Sequence, residues 1–333
     1  MTPILQSGAF VLIIIMGFLL RRFGVFGAND YRILQSVVFN LTLPSAIIVS
    51  FVSGHHGLNL LLVTLFGLGC ALLPIPILFF MSRKRKVSER AFLLLNASGF
   101  NVGTFCFPIL QAFLGPSTLM VAAMFDMGNA VMVTAGTNVM TTSLLNIDMQ
   151  RPLHEQYKGD APVVPAGTML DKDARRLQRR SRVRNIIKGF VTSPSFDIYM
   201  VMIVVTIFSI KLPEWIGTVL QPISMANPFC SMLMVGMLMD LPHNWKDIKA
   251  VLEVIGWRLP LAAAFALFAW FILPFDGVFR KALVMVCFAP TAVFATLFTD
   301  KVLGNPKLAG FTLAATAFIA IVIMTVLNVM LPV

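Results

Sequence analysis

Five residues, Asn96, Ser98, Asn101, Gly103 and Pro108, interrupt the otherwise apolar stretch AFLLLNASGFNVGTFCFPILQAFL at 91–114. Their types suit ligand binding without proton transfer. Amides and a hydroxyl bond polar groups at any pH, while Gly and Pro weaken a helix and free backbone N–H and C=O groups for a substrate or ion. A weakened helix at membrane depth is tolerated only where it is buried in protein or lines a polar cavity. The competing reading is an ordinary packing helix, since Gly and Pro are common in membrane helices.

Titratable chemistry comes from a second constellation. Asp126, in AAMFDMGNAVM, is the only acidic residue deep in an apolar stretch, and Asn129 follows three residues later on the same helical face. A carboxylate at that depth is costly and normally lies in a pathway or is paired. A protonatable coupling group is the sharp reading; an Asn-bonded structural Asp and a sodium ligand are the alternatives. No deep basic side chain is expected to neutralise it. Arg258 is placed at the inner interface beside Trp257, its side chain snorkelling to water.

Other chemistries find no support. His55, His56, His154 and His243 fall in expected loops, and Cys70, Cys106, Cys230 and Cys287 are isolated in apolar stretches, where inert thiols are the ordinary outcome. The chain has no GxxxxGK[ST] phosphate loop and no spaced nucleophile and base. The reading is of a chain that is not an enzyme and holds neither cofactor nor metal.

The elements that must position these residues follow from composition. Hydrophobic residues make up 58% of the 333 and charged residues only 12%, against roughly a quarter charged in a soluble domain. This is the composition of an all-α polytopic membrane protein. Apolar stretches run at about 4–20, 33–53, 58–81, 91–114, 117–145, 196–213, 216–239, 251–273, 281–299 and 308–331. Most approach the roughly 20 residues that span a bilayer core, which predicts ten transmembrane helices. The second holds a candidate break at Pro44, in FNLTLPSA, with Asn40 just before it. If the first crossing runs inward, nearly all of the 26 Lys and Arg fall in cytoplasmic loops, and Lys211, Arg280 and Lys281 fall outside. Both termini are therefore expected outside the cytoplasm. The net charge of +11 is then a topology signal rather than a nucleic-acid surface. Residues 146–195 read as a cytoplasmic basic linker, with a membrane-surface helix around Lys172–Lys188 as the alternative.

Pro44 and Pro108 have counterparts in Pro228, preceded by Asn227, and Pro290, at offsets that agree within two residues. An odd number of crossings per half makes the second copy enter from the opposite side. That predicts two inverted five-helix repeats, 1–145 and 196–333, whose fourth and ninth helices are broken and face or cross each other near the midplane. Asn96, Ser98 and Asn101 would bind substrate on one side, with Thr291 and Thr296 as weaker candidates on the other. Asn40, Pro44, Asn227 and Pro228 are secondary candidates.

NASGFNVGTFCFP, FNLTLPSA, the FDMGN run and CFAPTAVFA together resemble the auxin efflux carrier family, in particular its bacterial malate or malonate permease members. The resemblance covers about residues 4–331 and implies a substrate site where two broken helices cross, at Asn101, Gly103 and Pro108 in the first and Pro290 in the second. The Asn-Pro-Asn signature of plant members is replaced here by NVGTFCFP. The implied function is secondary transport of a small organic anion, a mono- or dicarboxylate, in a bacterial inner membrane. A proton is the expected coupling ion, with sodium coupling or uniport as alternatives and a non-transporting sensor as the rival class. The expected partners are substrate, coupling ion, lipid and, at most, a second copy of the chain.

Overall fold

The computed structural model describes residues 2–27, 29–52, 59–147, 153, 157–158, 161–162, 194–208, 210–242, 244–275 and 277–331. Apolar runs whose backbone must satisfy itself away from water become helices. They are α1 (Thr2–Arg22), α2 (Tyr31–Val52), α3 (Leu60–Met81), α4 (Val87–Ala97), α5 (Val102–Leu114), α6 (Pro116–Leu144), α7 (Pro194–Ile207), α8 (Glu214–Leu238), α9 (Trp245–Phe271), α10 (Gly277–Cys287), α11 (Val293–Leu303) and α12 (Pro306–Met330).

All ten expected stretches are helical over most of their length, but they are not equal as spans. Among the described residues six helices, α1, α2, α3, α6, α9 and α12, are long and apolar enough to cross a membrane. The pair α4 and α5, bent by 51° at its break, makes a seventh. The others depart from that pattern for local reasons. α7 is short, α8 carries Gln221, Asn227 and two prolines, and the ninth stretch is split into α10 and α11 by five non-helical residues, 288–292.

The candidate break at Pro44 does not occur. α2 runs through it because Val38–Thr42 widens into a π turn immediately before, so the missing proline N–H disturbs the ladder without ending it. The same device recurs at Val102–Cys106, just ahead of Pro108 in α5.

Lipid supplies no hydrophobic drive for helix association, so close approach through small residues decides which helices pair. α1 packs on α8 and α3 on α6. A Cβ on Gly236 would lie 2.1 Å from the Ile14 carbonyl oxygen, and one on Gly128 only 1.9 Å from that of Thr64. At one end of the bundle Arg21 donates to the carbonyls of Met237 (2.8 Å) and Met239 (3.1 Å), and Arg85 pairs with Glu253 at 2.7 Å. Beyond the far end of α9 lies Lys281, the first residue of the ninth stretch. It is buried in α10, and its Nζ donates to the last carbonyls of α12, Asn328 (2.8 Å) and Leu331 (3.0 Å).

Most of the segment read as a basic linker, including Lys172–Lys188, lies outside the described residues. Within it Tyr157–Lys158 pairs antiparallel with Ala161–Pro162.

Candidate functional site

α4 stops at Ala97, and Gly99 turns the chain at φ +74°. α10 stops at Cys287, and helix resumes at Val293. The two breaks touch: the Asn101 amide donates to the Pro290 carbonyl at 3.0 Å, and the Thr291 hydroxyl to the Asn96 carbonyl at 3.1 Å. The Asn96 side chain donates to Phe92 O and Thr299 Oγ1, both at 2.9 Å, and so fastens α4 to α11. Ser98 bonds Thr137 at 3.0 Å. Four helix ends thus converge, two with free carbonyls and two with free amides.

The carbonyl ends are served by Arg258. It is only 8% exposed, and it donates to Asn96 O (3.1 Å), Gly99 O (2.9 Å) and Ala289 O (2.8 Å), with its guanidinium 5.2 Å from the centre of the Phe100 ring. This corrects the interfacial placement expected from the sequence. Unpaired carbonyls buried in protein are costly, and a guanidinium that satisfies three of them offsets its own burial there, so it turns inward instead of snorkelling.

Asp126 serves the amide end of α5. Its carboxylate accepts from the Tyr199 hydroxyl at 2.5 Å, from Asn129 Nδ2 at 2.9 Å and from the Gly103 backbone N–H. The Gly103 amide lies in the first turn of α5, where an anion is favoured by free donors and by the helix dipole. Glycine suits the approach, because a Cβ would sit 3.1 Å from Asp126 Oδ2 and 3.0 Å from Leu43, and both side chains would have to give by a few tenths of an ångström. Asn129 also grips the break itself, donating to Phe100 O (2.8 Å) and accepting from Phe100 N (3.0 Å).

A cavity of about 600 Å³ opens on this face, with Asn101, Gly103, Thr104, Asp126, Thr134 and Tyr199 among its walls. Thr104 donates to Asn101 Oδ1, while Asn101 Nδ2, in a residue 5% exposed, has no partner. Phe39 and Phe294 line the same cavity, their ring centres 5.8 Å apart. About one to two turns away on each of these helices, Arg32 of α2 and Asp300 of α11 line a wider cleft of about 920 Å³, together with Arg21 and Asp240.

Of the residues singled out from the sequence, Asn101, Gly103 and Asp126 line the cavity. Asn96, Ser98, Asn129 and Thr291 make bonds within the crossover, and Pro108 follows the π turn of α5. Pro290 supplies a carbonyl to the crossover and lines a separate space of about 450 Å³ on its far side, beside Arg258. Thr296 bonds its own helix at Val293 O and lines the wider cleft. Asn40, Pro44, Asn227 and Pro228 do not line the cavity. Asn40 is exposed and bonds Ser36 at 3.0 Å, while buried Asn227 accepts from Thr42 at 2.9 Å and joins α2 to α8.

Sequence reasoning missed Tyr199, Thr104 and Thr134. Tyr199 carried one signal, a tyrosine inside an apolar run, but the usual expectation for such a residue is the interfacial belt. Among the described residues no group of three His, Cys, Asp or Glu could hold a metal ion.

A family model described as membrane transport protein matches residues 4–328. No curated protein matches the chain.

Proposed function

The chain belongs to the membrane transport protein family, in agreement with its resemblance to auxin efflux carriers, and from that premise we propose that it carries a small organic anion, a mono- or dicarboxylate, by alternating access. The family is one of transporters, not enzymes, and the protein is an integral multi-spanning membrane protein. The observation that carries the proposal is the buried side-chain Nδ2 of Asn101, a donor without a partner in the wall of a cavity at the start of α5. An anion is the ligand that both the amide and the helix end favour.

On this reading Asn101, Gly103 and Thr104 bind substrate. Asn96, Ser98, Pro108, Pro290 and Thr291 shape the crossover, and Asp126, held by Asn129, is the coupling group. Ionised, Asp126 repels a carboxylate and occupies the Tyr199 and Gly103 donors itself. Protonated, it gives up its claim on those donors, so proton and anion load together by linkage. The wider cleft beyond Phe39 and Phe294 is the inward vestibule, since it opens at the Arg21 end, where basic residues mark the cytoplasmic face.

The architecture proposed is ten crossings in two inverted repeats, 1–145 and 196–333, joined by the linker 146–195, with both termini outside a bacterial inner membrane. Supporting it, the two breaks touch, α2 meets α8, and α1 packs on α8 as α7 packs on α2. Reporter tags at residues 1, 165 and 333 should read outside, inside, outside. A cytoplasmic C-terminus overturns the repeat. Function is tested by uptake into proteoliposomes from a panel of carboxylates, amino acids and indole acids. Saturable uptake of a carboxylate supports the carrier, and saturable binding with no flux makes the protein a sensor.

A further inference from the structure

Arg258 holds a positive charge that its hydrogen-bond partners do not cancel. Its hydrogen bonds go to three backbone carbonyls, which satisfy N–H donors but carry no net charge. The ion pairs among the described residues are Arg21 with Asp240 and Arg85 with Glu253, and neither includes Arg258. A guanidinium stays protonated in proteins, and a buried charge is ordinarily paired. An unpaired one, retained where two broken helices meet, calls for a counter-ion.

The charge lies close behind the cavity wall. Its partner carbonyl at 2.9 Å belongs to Gly99, and the next residue, Phe100, both faces the guanidinium and lines the cavity. From Phe100 the contacts run through Asn129 to Asp126. In an interior of low polarity a unit charge acts through a wall of this kind far more strongly than in water.

We propose that Arg258 is the specificity-determining residue of the site, its fixed charge selecting cargo that carries one net negative charge. This inference rests on the carrier reading and deepens it. Two negative groups compete for one positive charge. With Asp126 ionised, the carboxylate balances Arg258 and the cavity holds no anion. With Asp126 protonated, a monoanion takes over that balance. A dicarboxylate therefore enters as its monoanion, with one carboxyl protonated. The proton on Asp126 and the anion move together, so no net charge crosses the membrane.

The test compares purified wild type with Arg258→Gln, which keeps amide donors for the carbonyls but has no charge, and Arg258→Lys, which keeps the charge. Half-saturating concentrations are measured for acetate against acetamide and for malonate against malonamide. Wild type should prefer each anion to its amide. Arg258→Gln should lose about tenfold or more of that preference, and Arg258→Lys should stay within about threefold of wild type. Wild-type preference retained in Arg258→Gln overturns the inference, as does equal loss in two folded variants, which reduces Arg258 to a backbone tether.

If either variant fails to fold, wild-type proteoliposomes decide. Malonate uptake should be unchanged by a potassium–valinomycin potential of either sign, and uptake that follows the potential overturns the inference. Anion binding without flux in the wild type sinks the carrier reading and leaves the charge selection to the binding comparison. Anion flux with unchanged selectivity in Arg258→Gln sinks the charge selection alone. A wild type that binds none of the four probes overturns both.

Discussion

Replacing Asn129 by Ala removes three hydrogen bonds at once, and their arrangement fixes the expected damage. The side chain donates to Phe100 O (2.8 Å) and Asp126 Oδ1 (2.9 Å) and accepts from Phe100 N (3.0 Å). Phe100 lies in the four-residue gap between α4 and α5 and is buried, so no helical neighbour can take over its amide or carbonyl. Each buried backbone group left unpaired costs about 1–3 kcal/mol. The two together give a loss of about 2–6 kcal/mol, before any weakening at Asp126. The control is Asn40→Ala. It removes the same kind of side chain from an exposed site with one bond to Ser36, and a surface change of that kind costs within about 0.5 kcal/mol. Thermal unfolding of both variants in detergent, followed by tryptophan fluorescence, is the assay. Asn129→Ala should melt several degrees below wild type and Asn40→Ala within about one degree. Equal shifts in the two variants would refute the view that Asn129 holds the break together.

Three further outcomes test the site and the packing. Asp126→Asn imitates the protonated carboxyl, so substrate exchange should persist while uptake driven by a proton gradient is lost; a variant that still concentrates substrate returns Asp126 to a structural role. Asn101→Ala should weaken substrate binding by about 1–3 kcal/mol, or roughly fivefold to more than a hundredfold, read by equilibrium binding to the purified protein. Gly128→Ala puts a Cβ 1.9 Å from the Thr64 carbonyl, so α3 and α6 must separate at a cost of about 1–3 kcal/mol, whereas Gly69→Ala, with nothing within 4 Å, should be neutral or stabilising by up to about 1 kcal/mol. Melting temperatures in detergent distinguish these two glycines.

Residue types alone revealed the class of the protein and its two helix interruptions, because both depend on local properties: apolar length, and Gly, Pro or Asn within it. The continuation of α2 through Pro44 was not legible, since a π turn and a true break begin with the same proline. Asp126 could be recognised as costly, but its partners Tyr199 and Gly103 come from other helices, and no spacing rule brings residues 73 apart together. Arg258 misled for the same reason. Judged by its own helix it should reach for water, and only the carbonyls exposed on α4 and α10 make the interior the better place. Asn40 and Asn227 show the converse. An amide near a proline suggested a ligand contact, yet one faces outward and the other bolts α2 to α8.

The position of Arg258 also constrains how the protein can be made. As α9 leaves the ribosome it presents a guanidinium near the middle of an apolar helix, a burden of about 2.5–3.5 kcal/mol for an isolated segment entering the bilayer. Two of the three carbonyls that relieve this burden, on Asn96 and Gly99, were synthesised about 160 residues earlier, and the third, on Ala289, comes 31 residues later. The nascent second half thus relies on a first half already seated in the membrane with its broken helix ready to accept. Synthesis has a direction in this chain, and the C-terminal half is not an independent unit of biogenesis.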